Sequence, residues 1–180
     1  MTSVVKPYKR LYSKIVSVNN IDYTPSTIPD EFIIVHNILT PEVEQKLLRL
    51  IKSGLTEDKK ELEQILSCIA KEFEPEVKCK LNSRTVSMLK PGDEWREVQD
   101  LKYFNPCVIN INMGSHTNIV CRNKKTRQTT SFLLPARSMY LYRDSGDLYE
   151  RSTDRKTSDW IDGEQVSRGT RYSIVFKSKK

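Results

Sequence analysis

The sequence predicts an α+β protein whose core is a double-stranded β-helix, or jelly roll, buttressed by two N-terminal helices. Two observations predict it. Between residues 40 and 75 the apolar residues recur at spacings of three and four, the period of one helix face. After about residue 84 that period gives way to short runs rich in β-formers, punctuated by turn residues. Two helices followed by six or more strands describe helices packed on one side of an antiparallel sheet or barrel. A length of 180 residues suits one domain, read here as 31–180 behind an N-terminal arm, 1–30.

The arm holds Pro7, Pro25 and Pro29 and the turn-forming stretches VNNID and TPSTIPD, with one short alternating piece, KIVSV. EFIIVHNIL then reads as a strand that runs into a strong helix start. Thr40 is a good N-cap, Pro41 suits the first helical position, and Glu42 and Glu44 favour the positive end of the dipole. Val43, Leu47, Leu50 and Ile51 form the stripe to be buried, and Gly54 is placed to stop the helix. A second helix is expected from Thr56 as its cap, with Leu62, Ile65, Leu66, Ile69 and Phe73 facing the core and Pro75 ending it. The strands follow as RTVSML, CVININM, NIVCR, TSFLL, SMYLYR and RYSIVFK, with KPGDE, MGS and DSGD as turns. In the last strand, alternation sends Tyr172, Ile174 and Phe176 to one face and Arg171, Ser173 and Lys177 to the other. The first face packs on a core. The second is either the wet side of an edge strand or the wall of an anion pocket inside a barrel.

Composition narrows the classes of function. The formal charge is +7, from 30 basic and 23 acidic residues, which favours a polyanionic partner such as nucleic acid. Basic residues concentrate at 122–127 and at the C-terminus. No run approaches the apolar length of a membrane span, and the basic N-terminus is followed by no apolar signal region, so an intracellular protein is expected. Cys68, Cys79, Cys107 and Cys121 fit no C-x-x-C pattern and read as reduced thiols. There is no G-x-S-x-G, and neither histidine, His36 or His116, stands two residues before an Asp or Glu.

FIIVHNILTPEVEQKLLRLI, SMLKPGDEWREVQD, PCVININMGS, FLLPARSMYLYRDSGDLY and TRYSIVFK occur in that order, and together they resemble the AlkB-like Fe(II)/2-oxoglutarate dioxygenases over roughly residues 31–180. The resemblance implies that Arg171 stands where the family's arginine meets the distal carboxylate of 2-oxoglutarate. Lys177 then replaces a second arginine, a point charge in place of a bidentate fork. It also implies losses. The H-x-D of the iron site reads Val98, Gln99, Asp100, and Thr153 stands near the distal histidine. Of the three metal ligands only Asp100 remains, with Glu97 and Glu150 as neighbouring carboxylates that suit a hard cation better than a redox iron. The N-x-Y that holds 2-oxoglutarate reads Ser87 and Leu89, and leucine donates no hydrogen bond.

The expected protein is therefore a catalytically inactive relative that keeps the barrel as a binding module, with no cofactor. The family acts on nucleic-acid bases, so nucleic acid is the expected partner. Arg122, Lys124, Lys125, Arg127 and Arg137 are candidates for phosphate contact, and Trp95, Tyr103 and Phe104 for base stacking. The alternatives are a scaffold that docks an acidic protein or a ribonucleoprotein, and a divergent active dioxygenase whose ligands lie elsewhere.

Overall fold

The computed structural model of the chain describes residues 29–97, 101–143, 146 and 148–180. The expected arm falls almost wholly outside these residues, as do Val98, Gln99 and Asp100. After a short strand β1 (Phe32–Val35) come helices α1 (Pro41–Lys52) and α2 (Thr56–Val77). Ten strands follow: β2 (Ser83–Leu89), β3 (Arg96–Glu97), β4 (Phe104–Met113), β5 (Thr117–Asn123), β6 (Thr129–Leu134), β7 (Ser138–Arg143), β8 (Tyr149–Thr153), β9 (Ser158–Ile161), β10 (Glu164–Ser167) and β11 (Arg171–Lys179).

The strands form two facing antiparallel sheets, of order β1-β7-β4-β11-β2 and β3-β8-β5-β6, with β9 and β10 as a separate hairpin. The architecture is of the jelly-roll type, two sheets with two helices on one of them. Alternation along the larger sheet explains the layers. Ile109, Ile111 and Met113 of β4, Met139 and Leu141 of β7, and Tyr172, Ile174 and Phe176 of β11 face the helices, where Leu47, Leu66, Ile69 and Phe73 meet them. Their neighbours in sequence turn inward between the sheets. There Phe32, Ile34, Tyr140 and Tyr142 pack on Ile119, Cys121, Phe132 and Leu134 of the smaller sheet. Phe32 sits 4.7 Å from the Tyr142 ring and 5.6 Å, edge-on, from Phe132.

Several expectations on local structure need correction. Thr40 does cap α1, its hydroxyl accepting from the Val43 N–H at 3.3 Å. Thr56 does not cap α2: Leu55 occupies the cap with no side-chain bond, and Thr56 is already helical. Pro75 does not end α2 either. The helix runs through it to Val77, and Lys78 closes it in the left-handed conformation at φ 54°. A proline removes the bond to the carbonyl four residues back and crowds that carbonyl with its ring, a cost that the packing of Ile69, Phe73 and Val77 in the core outweighs. The last strand is no edge, since β11 lies between β4 and β2 and is buried along most of its length.

Candidate functional site

The space between the sheets is polar at its centre, because β4, β7 and β11 alternate apolar residues toward the helices with Asn110, Asn112, Ser138, Arg171 and Ser173 toward the interior, all buried. Cross-strand register gathers them. Ser173 lies opposite Asn112 on β4 and Ser87 on β2, with Asn110 one pair further along opposite Val175, and Arg171 lies opposite Leu89. The Ser173 hydroxyl donates to Asn110 Oδ1 at 2.8 Å, and Asn110 Nδ2 reaches the Tyr140 hydroxyl at 3.4 Å. Burial pushes the Tyr140 hydroxyl well above the usual tyrosine range, so it stays protonated and neutral.

Arg171 is only 4% exposed. One guanidinium nitrogen, Nη1, makes a long bond of 3.4 Å to Asn112 Oδ1. The amide of Asn112 is fixed in that sense because its Nδ2 donates to the carbonyls of Ser115, Leu134 and Pro135, at 2.8, 3.1 and 3.0 Å. Burial lowers the Arg171 pKa to about 10. A cavity of about 20 Å³ adjoins the side chain, with Leu89, Thr117, Thr153, His116 and Arg168 among its walls.

Lys177 does not join Arg171. Six residues along a strand span roughly 20 Å, and the Lys177 ammonium instead pairs with Glu97, beside the Phe104 ring at 5.2 Å. Glu97 is buried on β3, opposite Arg151 of β8. The Arg151 guanidinium covers the Tyr142 ring at 4.0 Å and donates to the Tyr149 carbonyl at 3.1 Å. Glu150 is exposed on the opposite face of β8, so it and Glu97 do not share a site.

Thr153 is buried and engaged. Its Oγ1 accepts from the Trp95 N–H at 3.0 Å and its own N–H donates to the Trp95 carbonyl at 2.8 Å. His116 pairs with Asp159 at 3.1 Å, and Arg168 clasps the same carboxylate at 2.6 and 2.8 Å while also reaching Asp154 at 2.6 Å. The Arg168 bonds hold the Asp159 carboxyl below the usual aspartate range. Among the described residues no three His, Cys, Asp or Glu side chains gather as a metal site. A threonine hydroxyl occupied by a backbone N–H, and a histidine committed to an Asp–Arg cluster, do not fit a redox iron.

The basic candidates divide between the two ends of the sandwich. Arg122, Lys124, Lys125 and Arg127 cluster at the β5–β6 turn, which Asn123 Oδ1 shapes by accepting from the N–H groups of Lys125 and Thr126. Arg122, Lys125 and Arg127 are exposed and carry no ion pair among the described residues. A groove of about 290 Å³ beside them is lined by Arg96, Arg122, Lys124 and Glu150. Arg137 belongs elsewhere, in the β6–β7 turn at the opposite end of β6, and it pairs with Glu44 at 3.4 Å. Trp95 is half-buried at the Arg171 end, whereas Tyr103, 52% exposed under Lys102, precedes β4 at the other. The most exposed aromatic among the described residues is Trp160, at 74%, whose polar sequence surroundings suit exposure but which was not among the stacking candidates. It stands on the β9–β10 hairpin beside a second groove on the outer side of the smaller sheet, with Asn118, Leu133, Arg155 and Lys156. A signal for that hairpin was present, since Asp162-Gly163 is a two-residue turn with φ 50° and 82° between alternating strands.

No family model matches the chain. It is 25% identical over 176 residues to "Uncharacterized protein L905" of Acanthamoeba polyphaga mimivirus, covering 82% of this chain and 84% of that one. Among solved structures it resembles OsALKBH1, with a TM-score of 0.53 and 6% identity over 84% of this chain and 99% of that one. It also resembles an oxidoreductase of the 2OG-Fe(II) oxygenase family from Burkholderia pseudomallei, with a TM-score of 0.54 and 7% identity over 82% of this chain and 84% of that one. At such identities the likeness is one of fold: the chain has the fold of 2OG-Fe(II) oxygenases.

Proposed function

We propose that this protein is a non-catalytic binding module on the 2OG-Fe(II) oxygenase fold, and that it binds nucleic acid on the outer side of its smaller sheet. The observation that carries the reading is the cluster of Arg122, Lys124, Lys125 and Arg127 at one turn, three of them exposed and without an ion pair among the described residues, opening on a groove along β5 and β8. Exposed cations such as Arg122, Lys125 and Arg127, with no ion pair among the described residues, are available to phosphates. The outer face of β5 continues through Val120 and Asn118 toward Trp160, so a strand gripped at the turn has an aromatic platform further along. The phosphate grip and the Arg171 cavity lie at opposite ends of β5, Arg122 near its end and Thr117 at its start. A bound strand thus runs over the surface, and no base needs to enter the barrel.

The non-catalytic part of the reading is supported by the sequence, which contains no H-x-D or H-x-E, and by the commitments of Thr153 and His116. With the iron absent, 2-oxoglutarate would lose its chelated end, and a single charge-assisted contact at Arg171 is worth only about 1.5–3 kcal/mol.

Fluorescence anisotropy with a labelled single-stranded oligonucleotide tests the binding. Affinity should fall steeply with salt, and a double change of Arg122→Glu and Lys125→Glu should weaken it at least tenfold. Binding that is absent, or indifferent to both salt and the double variant, would remove the nucleic-acid reading in favour of an assembly role. Calorimetry with Mn(II) and 2-oxoglutarate tests inactivity, which saturable binding of both would overturn.

A further inference from the structure

We infer that the barrel seats one small monovalent anion, of the size of chloride, against the buried guanidinium of Arg171. The inference is independent of the nucleic-acid reading and departs from the dicarboxylate expected by resemblance. Its starting point is an orphan. The Nη2 group of Arg171 is buried with no acceptor, and Nη1 has only the long bond to Asn112. A guanidinium offers five N–H donors and cannot shed its charge as a carboxyl can, so leaving it buried and unpaired is costly.

Among the described residues no carboxylate bonds Arg171; Asp93 lines the same cavity, but its carboxylate accepts from the Lys90 N–H at 2.8 Å. The electrostatic neighbours of Arg171 are Tyr140, which is neutral, and Arg168, which is another cation. Arg168 is already balanced by Asp159 and Asp154. Glu97, the buried carboxylate of the interior, is bound to Lys177 at the other end of the strand. Nor does the hydroxyl of Ser173 turn toward Arg171, since it donates to Asn110.

The space beside the guanidinium sets the size. About 20 Å³ holds one water-sized particle. The five-carbon skeleton of 2-oxoglutarate is larger than that space, and Lys177, the other cation on this strand face, is bound to Glu97. Water would fill the space but bring no charge, whereas a halide brings both. The walls suit it as well. Thr117 and Thr153 are buried there, and because the Thr153 oxygen accepts from Trp95, its own O–H proton remains to be donated inward.

Chlorine-35 NMR on the full chain in gluconate buffer reads this directly. Chloride should show saturable excess line broadening that bromide and formate displace and that Arg171→Met abolishes. Wild-type protein without excess broadening, or an Arg171→Met variant that keeps it, would overturn the proposal. Should Arg171→Met fail to fold by near-UV circular dichroism, Thr153→Val retains the guanidinium and should weaken chloride several-fold; unchanged affinity there counts against the site. In crystals soaked in bromide an anomalous peak should lie within hydrogen-bonding distance of Arg171, and its absence at saturating bromide would again overturn the assignment. Displacement of chloride by 2-oxoglutarate at lower concentrations than formate requires would replace the small-anion site with a dicarboxylate site. That outcome would also weigh against the non-catalytic reading while leaving the surface cluster at 122–127 untouched.

Discussion

Lys177 and Glu97 form a buried ion pair, with side chains 18% and 5% exposed, and such pairs are unforgiving of half-measures. Lys177→Ala leaves Glu97 charged in a poorly solvated place and should cost roughly 3 kcal/mol in urea unfolding. Lys177→Met combined with Glu97→Gln should recover most of that loss, because the cost lies in the unpaired charge. Asp159 behaves differently, since its effect depends on pH. Arg168 chiefly, and His116 beside it, hold its folded pKa below the unfolded value. The carboxylate therefore contributes stability that is fully present above about pH 4 and fades as the pH falls through the lowered folded value. Asp159→Asn should thus lower the unfolding midpoint at pH 7 and lose its effect near pH 2; an equal deficit at both pH values would mean that the ion pair is not the cause.

At the scale of elements, the helices and strands follow from local chemistry, and the joints between them follow from contacts distant in sequence. Gly114 shows this best. Its φ of 85° suits a glycine, and a Cβ there would lie 2.7 Å from the Thr170 carbonyl oxygen, a backbone atom with nowhere to go. Its N–H donates to Glu44 at 3.1 Å, which ties the β4–β5 turn to α1. Gly114→Ala should therefore destabilise the protein by about 2 kcal/mol or more in urea unfolding, and a neutral outcome would mean that this turn relaxes freely. Glu44 likewise has two meanings. Locally it is an acidic residue in the first turn of a helix; in the fold it is also the partner of Gly114 and Arg137. The misplaced cap at Thr56 and the helix that passes through Pro75 are the same lesson, since packing of Leu66, Ile69 and Phe73 on the sheet holds α2 whatever its ends prefer.

Across the whole molecule, two sheets and a helical layer divide the polar groups into an inside set and an outside set, and the division separates residues that the sequence placed together. Arg171 and Lys177 share a strand face yet serve opposite ends of the barrel. Arg122 and Arg137, both candidates for phosphate, sit at turns on opposite ends of β6. Trp160 and Arg122, distant in sequence, lie along one outer surface.

The periods of apolar residues alone determined that, after one entry strand, two helices precede the run of strands, which face of each is buried, and that β11 carries Arg171 and Ser173 on one side. The order of residues alone determined that neither histidine stands two places before a carboxylate. These are properties of neighbours in the chain, and local geometry transmits them faithfully. Only the tertiary structure decided that the inward face of β11 is sealed, that Lys177 is spent on Glu97, that Thr153 is tied to Trp95, and that Arg171 faces a space for one small particle. Each of those depends on which strand lies opposite, a matter of pairing across tens of residues, and charge compensation is decided by that pairing because it acts over a few ångströms of space, however far apart the partners stand in sequence.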